Sequence, residues 1–355
     1  DPDYSGDMSA HPENPVPSSH EPHPGLPDEQ VISTGHLPSL EIVREIVLES
    51  HARYAGLADG EVADYIPKLA EANPAWFGIT LASATGRTFS VGDAQQEFSI
   101  QSISKAFVYA LVCESLGHDL MRERIGVNNT GLPFNSVMAI ELNAGHTMNP
   151  MVNAGALATT ALVPGESWEE KWEYIHSGLS AFAGRELELD EEVFASEMET
   201  NLRNMGIARL LQSYGHIAID PIRVTELYTR QCSLRVTTED LALMGATLAD
   251  GGEHPITGVQ VVSPAVSRDV LAVMATTGMY EASGDWLFEV GMPGKSGVAG
   301  GIVTIAPGKG SLATFSPPLD AAGNSVRGIR ATRHISHKLG LNMFSSAPIT
   351  TGDLT

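Results

Sequence analysis

The chain has 355 residues, of which 43% are hydrophobic, and its 43 acidic and 21 basic side chains give a formal charge of -22. This length is enough for one large or two ordinary domains, and the negative charge argues against nucleic acid and anionic lipid, which bind cationic surfaces. Mean hydropathy is near zero, and no apolar run approaches the ~18 residues of a membrane helix, which excludes an integral membrane protein.

The cysteines and the leading residues bear on the cellular compartment. Cys113 and Cys232 lie in no CxxC or metal-ligand spacing, so we expect buried, small apolar side chains rather than a disulfide or a metal site. The leading segment DPDYSGDMSAHPENPVPSSHEPHPG has neither a cationic start nor an apolar stretch, so no signal peptide is visible. These features favour a reducing cytoplasm.

Acidic residues cluster in runs such as GESWEEKWEY and ELELDEEVF, while lysines are scarce. Such a surface repels itself at low ionic strength, and salt screens the repulsion beyond ~10 Å at about 0.1 M. We therefore expect activity and solubility that tolerate molar salt. An ordinary acidic bacterial enzyme is the alternative interpretation.

Residues 1–36 are rich in Pro, His, Ser and Glu and lack apolar periodicity, which predicts a disordered arm. His11, His20 and His23 lie in this arm without the spacing of metal ligands, so we interpret them as part of a solvated tail.

The folded part begins with a predicted helix, SLEIVREIVLESHARYAG, in which Leu40, Val43 and Val47 recur at helical spacing. The segments AWFGITLAS and ATGRTFSVG then predict two strands joined at residues 85–86. A mainly helical stretch follows from about residue 102 to 250, interrupted at Asn-Pro, Pro-Gly and Gly-Gly pairs.

The C-terminal part, VAGGIVTIAPGKGSLATFSPPLDAAGNSVRGIRATRHISHKLG, predicts three strands separated by turns and then a closing helix. Strands towards both ends with helices between them favour an α+β fold, in which both chain ends build one antiparallel sheet flanked by helices. We expect residues 37–101 and 253–345 to form this sheet domain, residues 102–252 an inserted helical domain, and residues 346–355 a polar tail.

The strongest local signal is FSIQSISKAFVYALV, in which Ser102 and Lys105 stand three positions apart at a predicted helix start. Positions i and i+3 share a helix face, so the amine can take the proton of the hydroxyl if burial or a nearby cation keeps the lysine neutral. By itself the Ser-x-x-Lys pattern occurs by chance roughly once in a chain of this size. The apolar residues after Lys105 place the amine at the mouth of a buried helix and make the pattern more informative.

The second signal is MPGKSGVAGGIVTIAP, where Lys295, Ser296 and Gly297 precede a β-rich run. Lys295 beside Lys105 favours the neutral form of the latter, and the region from Gly297 to Val298 lets backbone amides approach a substrate as an oxyanion hole requires. A glycine-rich turn into a strand is the structural alternative. A Ser-x-x-Lys followed at a distance by Lys-[Ser/Thr]-Gly before a strand is the pattern of serine acyl-transfer enzymes.

With these motifs the sequence resembles the serine-dependent glutaminases, a branch of the β-lactamase and penicillin-binding superfamily. The resemblance runs from about residue 62 to 328, through QSISK, NPMVNAGA, SEMETNLRN, TLADGG, GMY and KSGVAGG in order. It implies a β-lactamase/DD-peptidase-like fold and hydrolysis of L-glutamine to L-glutamate and ammonia, without a metal or organic cofactor. It also implies a homodimer or homotetramer.

The resemblance further implies roles for individual residues. Ser102 matches the nucleophile, Lys105 its proton acceptor and Tyr280 the tyrosine that assists proton transfer, while Val298 and Ser102 match the oxyanion-hole amides. The positions that hold the amino-acid end of glutamine are matched by Tyr65, Asn153, Glu197, Asn204 and Tyr228.

These residue types also suit a zwitterion. Glu197 can accept the α-ammonium, while a carboxamide and phenols can donate to the α-carboxylate. The seven-residue spacing of Glu197 and Asn204 predicts one shared helix face, for which a solvated face is the structural alternative. A structural role is also the alternative for Asn153, and Tyr65 and Tyr228 could be core tyrosines.

Two other functions remain open from the sequence. A β-lactamase or D,D-peptidase would share the fold, although the Ser-Asp-Asn triplet of class A β-lactamases is missing. A non-catalytic glutamine sensor would keep the pocket and lose turnover. Retention of Ser102, Lys105 and Tyr280 argues against the sensor.

Overall fold

The computed structural model describes residues 37–142 and 147–346. The arm predicted for residues 1–36, and all but the first residue of the polar tail predicted for 346–355, lie outside the described residues. The α-helices of the described residues are α1 (Leu40–Tyr54), α2 (Ser104–Leu116), α3 (His118–Arg124), α4 (Met138–Glu141), α5 (Asn153–Ala161), α6 (Trp168–Ala183), α7 (Glu191–Thr200), α8 (Leu202–Ser213), α9 (Pro221–Cys232), α10 (Thr238–Ala249), α11 (Pro264–Thr277), α12 (Ser283–Glu289) and α13 (Val326–Leu339). The strands are β1 (Gly78–Ser83), β2 (Thr88–Gly92), β3 (Phe98–Ser99), β4 (Arg235–Val236), β5 (Gly294–Ser296), β6 (Gly301–Ala306) and β7 (Gly310–Phe315).

A five-stranded sheet combines β1 and β2 from the N-terminal part of the chain with β5, β6 and β7 from the C-terminal part. The strand order is β2-β1-β7-β6-β5, and every neighbouring pair is antiparallel. The helix predicted in SLEIVREIVLESHARYAG is present over Leu40–Tyr54, and the predicted strand pair joined at residues 85–86 is present as well. Gly86 has a φ of +78° in the turn between β1 and β2, which suits a glycine. The expectation of a mixed α+β fold with an antiparallel sheet is confirmed.

Helices cover both faces of this sheet. On β6, Ile302 belongs to the apolar cluster shared with α1 and α13, whereas Val303 and Ile305 belong to the cluster shared with α10. This alternation follows from the two-residue period of a strand. Gly245 of α10 lets the helix approach the sheet, because a Cβ there would lie 2.7 Å from the Ser311 side chain.

The helix α2 lies in the interior of the fold. All residues from Ser104 to Cys113 are buried, and α2 packs against α5, α6 and α11. A helix that is apolar on all sides is stable only when other elements surround it. The N-terminal turn of α2 is therefore fixed by tertiary packing.

No helix of the described residues has the length and apolar character needed to cross a membrane.

The third strand predicted before the closing helix is wrong. After β7 the chain runs through an irregular segment to α13, with isolated bridges at Leu319. Pro317 and Pro318 have no N–H to donate to a sheet, and the side chain of Asp320 accepts hydrogen bonds from the next turn. Ser325 then caps α13. The third C-terminal strand of the sheet is instead β5, which lies earlier in the chain and contains Lys295 and Ser296.

Candidate active site

Ser102 lies in a single 3-10 turn, Gln101–Ile103, that leads directly into α2. The serine is 8% exposed, and Lys105 in the first turn of α2 is 2% exposed. Gln101 has a φ of +50°, a backbone conformation that costs a non-glycine residue of order 1–3 kcal/mol. Side-chain bonds stabilise the turn: Gln101 Nε2 donates to Ser99 Oγ over 3.1 Å, and Ser104 Oγ donates to the Gln101 carbonyl over 2.7 Å.

The amine of Lys105 is held where it can be neutral. Burial lowers the pKa of Lys105 to about 8. Nζ donates to the Met151 carbonyl over 3.1 Å and to Asn153 Oδ1 over 2.7 Å. A neutral primary amine has two N–H bonds and one lone pair, so these two acceptors use both N–H groups. The lone pair then remains free to accept a proton.

The two acceptors are presented by the segment NPMVNAGA. Asn149 Oδ1 accepts from the Met151 and Val152 amides at 3.0 and 3.2 Å, and its Nδ2 donates to the Asn128 carbonyl over 2.8 Å. Gly155 is required beside this loop, because a Cβ there would lie 1.8 Å from the Asn149 carbonyl oxygen. The segment therefore has a structural role that sequence reasoning did not identify, namely fixing the carbonyl that contacts Lys105.

A cavity of about 230 Å³ opens above Ser102, and we call it the substrate cavity. It brings together seven residues that the sequence singled out: Tyr65, Ser102, Asn153, Glu197, Asn204, Tyr228 and Val298. Seven further lining residues were not identified from the sequence: Ile66, Gln101, Phe134, Asn135, Thr200, Asn201 and Arg203.

Glu197 is the acidic group of the substrate cavity and is almost fully buried. Burial raises its pKa to about 7, while a hydrogen bond from Gln101 and the charge of Lys105 act in the opposite direction. Gln101 Nε2 lies 3.4 Å from Glu197 Oε2. A buried carboxylate with so few donors is costly, so a cationic group bound beside it would be favoured.

Glu197 and Asn204 lie on different helices, so the prediction of one shared helix face is wrong. Helix α7 ends at Thr200 and α8 begins at Leu202. Asn201 occupies the break, and its Nδ2 donates to Thr229 Oγ1 of α9 over 2.7 Å. The bend nevertheless directs both side chains into the substrate cavity.

A chain of hydrogen bonds orients the amides of the cavity. Lys105 donates to Asn153 Oδ1, and Asn153 Nδ2 donates to Asn204 Oδ1 over 2.9 Å. The Nδ2 group of Asn204 is thereby the donor left for a ligand. Arg203 lies at the rim, where its guanidinium donates to the Asn135 carbonyl at 3.0 and 3.3 Å.

The end of strand β5 lies against the turn that carries Ser102. A Cβ on Gly297 would lie 2.9 Å from the Ile100 carbonyl oxygen, so only glycine allows this approach. Within residues 37–142 and 147–346, neither the Ser102 amide nor the Val298 amide donates a hydrogen bond to the backbone. Two free N–H groups on facing segments are what an oxyanion hole requires.

Tyr280 lies beside Ser102, and Lys295 lies beside Tyr280; neither residue lines the substrate cavity. The carbonyl of Ser296 accepts from Tyr280 Oη over 3.3 Å and from Lys295 Nζ over 2.8 Å. Lys295 Nζ also lies 4.4 Å from the centre of the Tyr280 ring. Burial raises the pKa of Tyr280 to about 12, with the nearby Ser102 side chain acting in the opposite direction. The pKa of Lys295 is well below its usual value, mainly because the amine is buried and, to a smaller extent, because Lys105 is nearby.

The two other tyrosines lie at different depths. Tyr65 is at the rim and 56% exposed, whereas Tyr228 on α9 is buried, and burial raises its pKa well above the usual value.

Cys232, one turn further along α9, is a buried free thiol, and Cys113 is another. Burial raises the pKa of Cys232 to about 12, so the thiol is protonated. Among the residues that the structure describes, no three His, Cys, Asp or Glu side chains form a group that could hold a metal ion.

Comparison with known proteins identifies the family. A family model described as Glutaminase matches residues 60–344 of the chain. The chain belongs to the glutaminase family. The protein named Glutaminase 2 of Yersinia pestis is 53% identical over 319 residues, which cover 90% of this chain and 94% of that protein.

Solved structures of the family share the fold. The probable glutaminase ybaS superposes with a TM-score of 0.85 at 41% identity and covers 87% of this chain and 100% of its own. Mglu in its glutamate form has a TM-score of 0.80 at 41% identity, over 84% of this chain and 69% of its own. Mglu in its native form in the presence of 4.3 M NaCl has a TM-score of 0.82 at 40% identity, over 86% of this chain and 71% of its own.

Proposed function

We propose that this member of the glutaminase family hydrolyses the side-chain amide of L-glutamine through a glutamyl ester on Ser102. The observation that carries this proposal is the arrangement around Lys105. Its amine is buried, has a pKa of about 8 and uses both N–H groups of its neutral form on Met151 and Asn153. A neutral amine three residues after a serine at the floor of a polar cavity is an activating base for that serine.

Glutamine would bind with its amino-acid end at Glu197 and Asn204. The carboxylate of Glu197 would accept the α-ammonium, and this pairing offsets the cost of its burial. Asn204 Nδ2 and the phenols of Tyr65 and Tyr228 would donate to the α-carboxylate. With that end fixed, the side-chain amide extends towards Ser102.

In the acylation step, Ser102 Oγ attacks the amide carbon and its proton passes to Lys105 Nζ, with the phenol of Tyr280 assisting the transfer. The amides of Ser102 and Val298 stabilise the oxyanion of the tetrahedral intermediate. The carbon–nitrogen bond then breaks as Lys105 returns the proton to the departing nitrogen. Ammonia is released, and the glutamyl group remains as an ester of Ser102.

In the deacylation step, water adds to the ester carbon and gives its proton to Lys105. The bond to Ser102 Oγ breaks, and Oγ recovers the proton from Lys105. Glutamate is released and the enzyme is regenerated. None of these steps draws on a cofactor.

The wider kinship, assembly and compartment are part of the proposal. Three features support a place in the β-lactamase/DD-peptidase-like superfamily: the antiparallel sheet with helices on both faces, Ser-x-x-Lys at the start of α2, and Lys-Ser-Gly at the end of β5. Exposed apolar side chains such as Leu202 and Phe288 support a homodimer or homotetramer, which light scattering would test. The free thiols of Cys113 and Cys232 support a reducing cytoplasm.

The decisive experiment is Ser102→Ala, assayed by ammonia release from L-glutamine. We expect the rate to fall by at least about 10³-fold with an unchanged circular dichroism spectrum, because the nucleophile is lost. Ser213→Ala at the exposed end of α8 is the matched control and should keep the wild-type rate. A Ser102→Ala enzyme that retains about a tenth of the activity would contradict the mechanism.

Parallel assays with D-glutamine, L-asparagine and nitrocefin separate the other functions. Ammonia release from L-glutamine distinguishes the enzyme from a sensor that only binds. Nitrocefin hydrolysis faster than glutamine hydrolysis would favour a β-lactamase instead.

A further inference from the structure

A second cavity, of about 120 Å³, lies beside the substrate cavity. Its lining includes Leu132, Phe134, Met151, Thr277, Tyr280 and Glu281. Phe134 also lines the substrate cavity, so the two cavities share this wall residue. The mechanism above assigns no role to this second cavity.

The second cavity adjoins the groups that move protons. Tyr280 is part of its wall, and the carbonyl of Met151, which accepts from Lys105 Nζ, belongs to another wall residue. The rings of Phe134 and Tyr280 pack with their centres 4.6 Å apart, and Lys105 Nζ lies 5.9 Å from the centre of the Phe134 ring. The second cavity therefore adjoins the proton-transfer groups on the side of Tyr280, and its lining contains none of the residues that would hold the amino-acid end of the substrate.

The proposed reaction has to move small molecules while the substrate cavity is occupied. After acylation, the glutamyl group still occupies the substrate cavity, yet ammonia has to leave and water has to arrive at the same ester carbon. A volume of about 120 Å³ is well above the ~10–15 Å³ that one water requires. Thr277 and Glu281 make part of its wall polar, and Glu281 is exposed.

We propose that the second cavity is the passage through which ammonia leaves and the hydrolytic water enters while the glutamyl group fills the substrate cavity. This proposal rests on the acyl-enzyme of the proposed function. The packed rings of Phe134 and Tyr280 form the partition between the two cavities. Small nucleophiles reach the ester past Tyr280, and their access depends on the width of the second cavity.

The test compares nucleophiles that compete for one acyl-enzyme. The enzyme is given L-glutamine with hydroxylamine or the larger O-methylhydroxylamine. In each case the nitrogen attacks the ester carbon, Ser102 Oγ leaves with the proton, and a γ-glutamyl hydroxamate forms instead of glutamate. The ratio of hydroxamate to glutamate is independent of substrate binding, of acylation and of the fraction of enzyme that is folded.

Two substitutions are chosen to narrow the second cavity from different elements: Thr277→Phe at the end of α11 and Leu132→Trp in the segment between α3 and α4. We expect both to slow deacylation by about tenfold, seen as more glutamyl-enzyme by intact-protein mass spectrometry. We expect the hydroxamate ratio to fall as well, and to fall further for O-methylhydroxylamine than for hydroxylamine.

Two controls isolate the effect of width. Thr277→Val keeps the shape of the side chain and removes the hydroxyl, which donates to the Val273 carbonyl over 2.6 Å, and its ratio should stay within about twofold of the wild type. Thr200→Phe narrows the mouth of the substrate cavity instead, so it should raise KM and leave the ratio unchanged.

The outcomes separate this proposal from the mechanism on which it rests. If the wild type forms neither glutamyl-enzyme nor hydroxamate, the acyl-enzyme itself is refuted. If hydroxamate forms but both narrowing variants keep the wild-type ratio and deacylation rate, the acyl-enzyme stands and the passage is refuted. A ratio that falls in Thr200→Phe alone would place nucleophile entry at the substrate cavity.

Discussion

Two buried side chains change charge near neutral pH in this site. Burial lowers the pKa of Lys105 to about 8 and raises the pKa of Glu197 to about 7. Desolvation disfavours the charged form of each group, which explains the opposite directions. Catalysis in the proposed mechanism needs Lys105 neutral and Glu197 ionised, so both requirements are met only on the alkaline side of these values.

The pH dependence of turnover follows from these two groups. We expect kcat/KM to rise from pH 6 to 9, because protonated Glu197 cannot pair with the α-ammonium and protonated Lys105 cannot accept a proton. With saturating glutamine, the bound ammonium keeps Glu197 ionised, so kcat should follow Lys105 alone and rise around pH 8. Initial rates of ammonia release at constant ionic strength measure both profiles.

Glu197→Gln provides the comparison for this profile. It should raise KM strongly and remove the titration near pH 7 from kcat/KM, while the rise around pH 8 remains. A kcat/KM profile that is flat from pH 6 to 9 in the wild type would contradict the assignment of either group.

At the scale of elements, the site depends on contacts between segments that are far apart in sequence. Strand β5 brings Gly297 against the turn that carries Ser102, and the NPMVNAGA segment presents a carbonyl to Lys105. Helix α2 is buried by its neighbours and so fixes the position of Lys105 and of the preceding turn that carries Ser102.

Gly297→Ala tests the approach of β5 to the Ser102 turn. The added Cβ would lie 2.9 Å from the Ile100 carbonyl oxygen, and the resulting displacement of the oxyanion hole should lower kcat by about 10²-fold. Gly206→Ala is the matched control, because a Cβ at this position on α8 meets nothing within 4 Å. It should keep full activity and a melting temperature equal to or above that of the wild type. Equal activities of the two variants would show that catalysis does not depend on the close contact between Gly297 and the Ser102 turn.

Much of this arrangement could be predicted from local patterns. The apolar run after Lys105 predicts a buried helix start, and α2 is buried as expected. The alternating and glycine-punctuated segments predict β1, β2, β6 and β7, and their place in one antiparallel sheet follows from strands near both ends of the chain.

Other features could not be predicted, because they depend on tertiary contacts. The third C-terminal strand is wrong since Pro317 and Pro318 interrupt it, and the shared helix face of Glu197 and Asn204 is wrong since Asn201 breaks the helix to reach α9. The contribution of Gln101 has no sequence signal, because it arises from a positive φ and contacts made after folding. The burial of Lys105, rather than the charge of Lys295, is the leading cause of its lowered pKa.

At the scale of the whole molecule, the formal charge of -22 predicts a response to salt. Repulsion between surface carboxylates acts over ~10 Å at about 0.1 M salt and only ~3 Å at about 1 M. We expect ammonia release and the melting temperature to be maintained or increased between about 0.1 and 2 M NaCl. KCl serves as the control for a specific ion effect and should give the same curve. Activity that is lost before the rising NaCl concentration reaches about 0.5 M would contradict this prediction.

The burial of Lys105 and Glu197 also has a thermodynamic price that varies with acidity. The native state binds more protons at Glu197 between pH 4.5 and about 7, so the free energy of unfolding falls as pH rises through that window. It binds fewer at Lys105 between about 8 and 10.5, so the free energy of unfolding rises through that second window. Together these groups make the fold least stable between about pH 7 and 8, the range in which turnover begins.

Glu197→Gln should therefore raise the melting temperature at pH 7.5 and change it little at pH 4.5. The free energy of unfolding at pH 7.5 should rise by about 3 kcal/mol, because this is the energy of the pKa shift of Glu197 from 4.5 to about 7. Calorimetry measures the change in melting temperature at the two pH values. An equal change at both would show that the ionisation of Glu197 does not destabilise the fold. Turnover thus begins in the interval where the enzyme's own reactive groups most favour unfolding.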